Sequence, residues 1–134
     1  MKSIHPVSLR IISADIKASV PFFEKVTGAT AAWFTGDFAE IVTSSITLAI
    51  ASTRTLTFFG EDVAQAAANK SVIIEFLVEH VDEEYERIKE FTTDIVQKPT
   101  TMPWGNRSLL FRDPDGNLIN FFTPVSPEAI KKFA

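Results

Sequence analysis

One feature constrains this chain more than any other: its apolar pattern runs strand, helix, strand, strand, strand, and then begins again about 65 residues later. The first pass opens over residues 7–13, β-branched and apolar until Ser13-Ala14-Asp15 breaks the run, which predicts a strand. Period two sets Ser8, Arg10 and Ile12 on one face of it, and Leu9 and Ile11 on the other. A helix is expected over 18–27, with Val20, Phe23 and Val26 as its apolar face and Gly28 just past its end. Pro21 then has to fall in the first turn, where its missing N–H is harmless. Three strands follow over 31–35, 38–43 and 46–51, with Gly36-Asp37 and Ser44-Ser45 at hairpin spacing between them. Residues 55–59 continue the last strand or form an edge, and 61–69, Ala-rich and polar, read as a short helix or a linker.

The second pass starts with a strand over 71–78, in which Glu75 stands between Ile74 and Phe76 in an apolar run. An amphipathic helix follows over 81–91, with Asp82 as its N-cap and Val81, Tyr85 and Ile88 on one side. A short strand over 94–98 leads to a hairpin, 108–112 and 118–123, across Asp113-Pro114-Asp115-Gly116-Asn117. In that turn Pro114 fixes φ, the aspartates accept from backbone donors and Gly116 permits a positive φ. Ser126-Pro127 opens a short helix over 127–134. Residues 11–20 align with 76–85, on element order and apolar pattern and not on identity. The expected fold is α+β: two βαβββ modules, about 1–60 and 71–126 with a linker about 61–70, in a cupped mixed sheet with helices on its outer face. A ferredoxin-like sandwich has fewer strands per helix and fits less well.

Composition narrows the function. The 134 residues are 46% hydrophobic and carry a net charge of −4, in the range of a globular domain that can bury a core. Lys131-Lys132 is the largest basic cluster, far from the stripe that phosphate contacts demand, so no nucleic-acid partner is expected. The absence of cysteine removes disulfides, thiolate catalysis and cysteine-bound zinc. No apolar run reaches the ~20 residues of a membrane span, and the first residues do not form a signal peptide, so a cytoplasmic protein with no membrane partner is expected. The twelve Phe residues, against one Tyr and two Trp, suit a cavity walled by apolar rings.

Three segments, taken in order, resemble the vicinal oxygen chelate superfamily of glyoxalases, bleomycin-resistance proteins and extradiol dioxygenases. They are Ser13-Ala14-Asp15-Ile16-Lys17-Ala18-Ser19-Val20-Pro21-Phe22-Phe23, Glu75-Phe76-Leu77-Val78-Glu79-His80-Val81-Asp82, and Pro103-Trp104-Gly105-Asn106-Arg107-Ser108 with Phe111-Arg112-Asp113-Pro114-Asp115-Gly116-Asn117. The resemblance spans nearly the whole chain. It implies the paired-module fold, and in metal-dependent members it implies His, Gln or Glu ligands on the first and last strands of each module. Carried onto this sequence, those positions hold Ser8, Ile73 and Asn120, and the run 46–51 contains no ligand residue. Serine, isoleucine and asparagine are poor ligands for a divalent transition metal, so no metal and no cofactor are expected. His5 is expected on the surface, and His80 stands where such modules carry Asp, as a cap or surface residue.

Arg10 and Glu75 each lie two residues beyond one of these positions, at equivalent places of the repeat, and are expected inside the cup, paired with each other or with a ligand. Trp104, between Pro103 and Gly105, is either a packing anchor or a stacking wall for a planar ligand. Asn106 shares a face with Ser108, and Asn120 with Phe122. Ser8, Arg10, Glu75, Trp104, Asn106, Ser108, Asn120 and Phe122 are the candidate ligand-binding residues. The branch most similar in look is the metal-free bleomycin-resistance branch, which implies a homodimer that binds a small organic molecule without chemistry. The alternative is a glyoxalase- or dioxygenase-like lyase, isomerase or oxygenase, with Glu75 and further donors around a metal, or Glu75 alone as an acid–base group.

Overall fold

The computed structural model of the chain describes residues 3–60 and 62–134. After Asn69 the chain divides into two compact units. The first contains β1 (Ser8–Ser13), α1 (Ile16–Thr27), β2 (Ala32–Thr35), β3 (Phe38–Val42) and β4 (Thr47–Ser52), then a 3-10 helix (Thr53–Phe58). The second contains β5 (Ile73–Leu77), α2 (Val81–Ile88), β6 (Ile95–Thr101), β7 (Asn106–Arg112), β8 (Leu118–Pro124) and α3 (Pro127–Lys132). Each unit builds one four-stranded mixed sheet, in the orders β1-β4-β3-β2 and β5-β8-β7-β6. The first strand of each unit lies parallel to the last, and the remaining pairs are antiparallel. The strand–helix–strand–strand–strand order thus occurs twice, in an α+β fold. No helix among the described residues is long and apolar enough to cross a membrane. The expected segment 61–69 lies outside the described residues at Glu61, and residues 62–69 carry no helix or strand.

In the first unit α1 packs on the face of Ile11 and Ser13. Ile11, Val20, Phe23, Ile41 and Ile50 are buried there, and the Ser13 and Ser19 hydroxyls are bonded at 2.6 Å. The helix begins two residues before the expected start, because the Asp15 carbonyl already accepts from the Ala18 and Ser19 amides. Pro21 therefore lies beyond the first turn. It cannot donate to the Lys17 carbonyl, but both residues are exposed, so water can serve that oxygen. Residues 55–59 are no strand. The Ser52 hydroxyl accepts from the Arg54 amide, and the Thr55 and Thr57 hydroxyls donate to the Ser52 and Arg54 carbonyls, so local side-chain bonds replace a ladder.

In the second unit the N-cap position of α2 belongs to His80 and not to Asp82. The cap is supplied from elsewhere: the Thr123 hydroxyl accepts from the Val81 amide at 3.0 Å and donates to the Val78 carbonyl at 2.9 Å. Asp82 instead takes the Arg107 guanidinium at 2.9 and 3.0 Å. The helix stops at Ile88, three residues before the expected end, where the Glu90 and Phe91 amides turn back to carbonyls three residues earlier. β6 runs on through Pro99, which an edge strand tolerates, with a register shift between Gln97 and Thr100. α3 ends at Lys132, with Ser126 as cap: its hydroxyl accepts from the Ala129 amide at 3.1 Å.

Candidate functional site

Strand register decides which side chains meet. Across the second sheet Glu75 pairs with Asn120 and Asn120 with Leu110, while Leu77 pairs with Phe122 and Phe122 with Ser108. Asn106 pairs with Pro124, two residues further along the same face. Side chains alternate along a strand, so Glu75, Asn106, Ser108, Asn120 and Phe122 all lie on one side of this sheet. The other side carries Ile74, Phe76, Leu109, Phe111, Ile119 and Phe121, the last ringed edge-on by Phe76 and Phe111, and it bears α2. Five of the residues singled out in the sequence therefore share the face of one sheet opposite α2, where Ser108, Asn120 and Phe122 are buried and Glu75 is exposed.

Glu75 is exposed, so it is not the buried charge the sequence suggests. It lies on β5, the edge strand, and an edge position next to a single neighbouring strand leaves a long side chain room to reach water. Its Oε2 accepts a 2.8 Å hydrogen bond from Asn120 Nδ2. A carboxylate only accepts. The Asn120 amide is therefore oriented, with its nitrogen toward Glu75 and its Oδ1 turned away. That Oδ1 is shielded from solvent and has no hydrogen-bond partner, and the same holds for Asn106 Oδ1. An unsatisfied buried acceptor is unfavourable by about 1–3 kcal/mol.

An open, mostly apolar pocket of about 470 Å³ lies at the ends of β5 and β8, under α3. Leu77, Pro124, Ile130 and Phe133 line it, together with the polar Glu79 and Thr123. Phe133 meets Phe122 edge-on at 5.1 Å, so the cavity wall continues into the face opposite α2. α3 is held in place by a close backbone approach: the Gly105 carbonyl accepts from the Val125 and Ser126 amides at 2.8 and 3.1 Å. Nothing in the sequence signals this cavity, because its walls come from the strand ends and from a helix whose docking depends on a glycine in a distant turn.

In the first unit the open face carries Ser8 and Arg10 on β1, and both are exposed. The Arg10 guanidinium lies over the Phe38 ring at 5.0 Å and near the Phe59 ring at 5.9 Å, a cation–π arrangement that answers its charge without a carboxylate. Arg10 pairs in register with Ala49 and Ala49 with Glu40, so Glu40 stands one strand further along the same row. Period two over 38–43 was enough to find Glu40. Trp104 is 68% exposed in the turn between β6 and β7. His5 is exposed ahead of β1, and His80 is exposed at the start of α2, with Nε2 3.7 Å from Glu79.

The donor set does not fit a divalent metal. By the resemblance to metal-dependent relatives the ligand positions fall on Ser8, Ile73 and Asn120, Asn120 turns its nitrogen and not its oxygen to Glu75, and no group of three or more His, Cys, Asp or Glu among the described residues is placed to hold an ion.

Comparison with known proteins bears on the whole chain. The family model of the Glyoxalase/Bleomycin resistance protein/Dioxygenase superfamily matches residues 3–121. The uncharacterized protein YraH of Bacillus subtilis is 27% identical over 122 residues, 87% of this chain and 95% of that protein. A glyoxalase/bleomycin resistance protein/dioxygenase from Nocardioides superposes with a TM-score of 0.78 at 20% identity, over 95% of this chain and 87% of that one. A glyoxalase-related enzyme from Fulvimarina pelagi superposes with a TM-score of 0.77 at 17% identity, over 89% of this chain and 87% of that one. At such identities the two structures speak for the fold alone.

Proposed function

This chain belongs to the glyoxalase/bleomycin resistance protein/dioxygenase superfamily, and from that premise we propose that it binds a small organic molecule, without a metal ion, on the face of its second sheet opposite α2. One observation carries the reading: Asn120 is held by Glu75 with its Oδ1 buried and unsatisfied, and Leu77, two residues beyond Glu75 on β5, lines a mostly apolar pocket of about 470 Å³. A site of that size, mostly apolar with a few oriented polar groups, is the usual form of a small-molecule pocket. In this reading Glu75, Asn106, Ser108 and Asn120 supply polar contacts, Phe122 an apolar floor, and Trp104 a ring at the rim. Ser8 and Arg10 offer polar contacts on the open face of the first sheet.

The test is a fragment screen read by amide chemical shifts. Shifts should concentrate on β5, β7 and β8. Binders whose shifts spare all three strands would overturn the reading. We also propose a twofold homodimer, because Phe34 and Val42 of the first unit are 64% and 63% exposed and a second copy would cover them. A monomer mass in light scattering at micromolar concentration would overturn that part.

A further inference from the structure

Resting on that reading, we propose that the ligand is an amine, held as its ammonium ion by Asn120 Oδ1 and the Glu75 carboxylate, with its apolar body in the cavity under α3. Asn120 gives its N–H to Glu75 Oε2 at 2.8 Å. Its free end is then an acceptor, Oδ1, without a partner. Glu75 adds a negative charge and only acceptor atoms. Asn120 Oδ1 and the Glu75 carboxylate therefore offer a ligand acceptors only.

Three ligand classes respond differently. A carboxylate or phosphate brings acceptors and negative charge against acceptors and negative charge, and is repelled. A hydroxyl brings one donor and can satisfy one of the two oxygens. An ammonium ion brings three N–H donors and a positive charge, so it can satisfy Asn120 Oδ1 and the carboxylate together. Glu75 is exposed on an edge strand, so its carboxylate can be approached from solvent while its bond to Asn120 stays in place.

The apolar half of the ligand follows from the same face. Leu77 is two residues beyond Glu75, roughly 7 Å along β5, and it lines the cavity with Ile130 and Phe133. An amine on a short aliphatic or aryl chain spans that distance. A divalent ion could also use the two oxygens, but two protein donors fall short of the three or more a stable site needs.

The experiment compares hexylamine, hexanol and hexanoate by calorimetry and amide chemical shifts at pH 7, with zinc chloride as a fourth arm. Hexylamine should bind, shifting Glu75, Leu77 and Asn120. It should bind about tenfold or more tighter than hexanol, since a hydrogen bond to a charged group exceeds a neutral one. Hexanoate should not bind. Asn120→Leu and Glu75→Gln should each weaken hexylamine about tenfold; the second keeps an acceptor for Asn120 and so preserves the fold. Hexanol or hexanoate binding this face as tightly as hexylamine would overturn the amine assignment and leave ligand binding at the face standing. Stoichiometric zinc that displaces the amine would overturn it as well. No shift on β5, β7 or β8 with any probe would overturn both.

Discussion

Asn120 on β8 donates its side-chain N–H to the Glu75 carboxylate on β5 at 2.8 Å, across a parallel strand pair. The resemblance to metal-dependent relatives implies a glutamate at position 120. A second carboxylate there would face Glu75 with no cation between them; asparagine turns that repulsion into a bond. Asn120→Asp reverses the change. At pH 7 two carboxylates in contact force the pKa of one upward. A raised folded-state pKa leaves stability intact below the unfolded value, about 3.9, and loses it as pH rises through the folded value. The variant should match the parent near pH 3.5 and fall about 1 kcal/mol below it at pH 7, a figure kept low because Glu75 is exposed. Urea unfolding at both pH values checks this, and an equal deficit at both would mean the loss is not electrostatic.

What the sequence makes legible is what alternation carries. Period two is enough to put Glu75 and Phe76 on opposite faces, and to put Asn106 with Ser108 and Asn120 with Phe122. Register is not contained in a period. The meeting of Glu75 with Asn120, 45 positions apart, is set by how β5 pairs with β8. Helix starts shift for a similar reason: Asp82 looks like a cap locally, but Thr123 reaches Val81 from another strand, a contact with no local trace. Burial is also illegible from an apolar run alone, because the run cannot say that β5 is an edge.

Gly105 holds α3 against the sheet, and a side chain there should release it. Its φ is +97°, and a Cβ would stand 2.0 Å from Ser126 Oγ and 2.7 Å from Ser126 Cβ. Rotating the hydroxyl relieves the first contact and not the second. Gly28 is the control, with φ +74° and open space around a Cβ. Gly28→Ala should destabilise by about 1 kcal/mol, from backbone strain alone. Gly105→Ala should destabilise by about 2–4 kcal/mol, strain and overpacking together. The shift of the urea midpoint reads both, and equal losses would show that α3 is not clamped there.

Asp37 shapes the acid limb of the stability curve. Its carboxylate accepts from Arg54 Nε and from the Ser52 hydroxyl, each at 2.8 Å, tying the β2–β3 hairpin to the end of β4. The bond from Arg54, then that from Ser52, holds its pKa below the ordinary 3.8. A lowered folded-state pKa gives stability that is present above 3.8 and lost as pH falls through the folded value. Asp37→Asn should therefore flatten the parent's decline below about pH 4, and 0.5 M salt should shrink the difference, since the pair is exposed. A variant with an unchanged acid limb would remove Asp37 from it.

Asp113 carries the opposite sign. It is buried at the mouth of the β7–β8 hairpin, where Oδ1 accepts from the Asp115 and Asn117 amides at 2.9 and 2.7 Å, and Oδ2 accepts from Asn117 Nδ2 at 2.8 Å. Burial pushes its pKa above the ordinary value, against the pull of those hydrogen bonds. Its contribution is then complete below 3.8 and declines as pH rises through the folded value. Two substitutions separate charge from hydrogen bonding. Asp113→Asn is neutral at every pH and keeps Oδ1 for the two backbone donors, with the Asn117 amide turned to accept. It should lose that decline and stay within about 1 kcal/mol of the parent at pH 7. Asp113→Ala removes the acceptor from two backbone N–H groups in a buried turn, and should lose about 2–4 kcal/mol at any pH. Denaturant unfolding of both variants between pH 4 and 8 makes the comparison. If alanine is tolerated as well as asparagine, the turn is held by Pro114 and Gly116 alone, and the hydrogen bonds to Asp113 only accompany it.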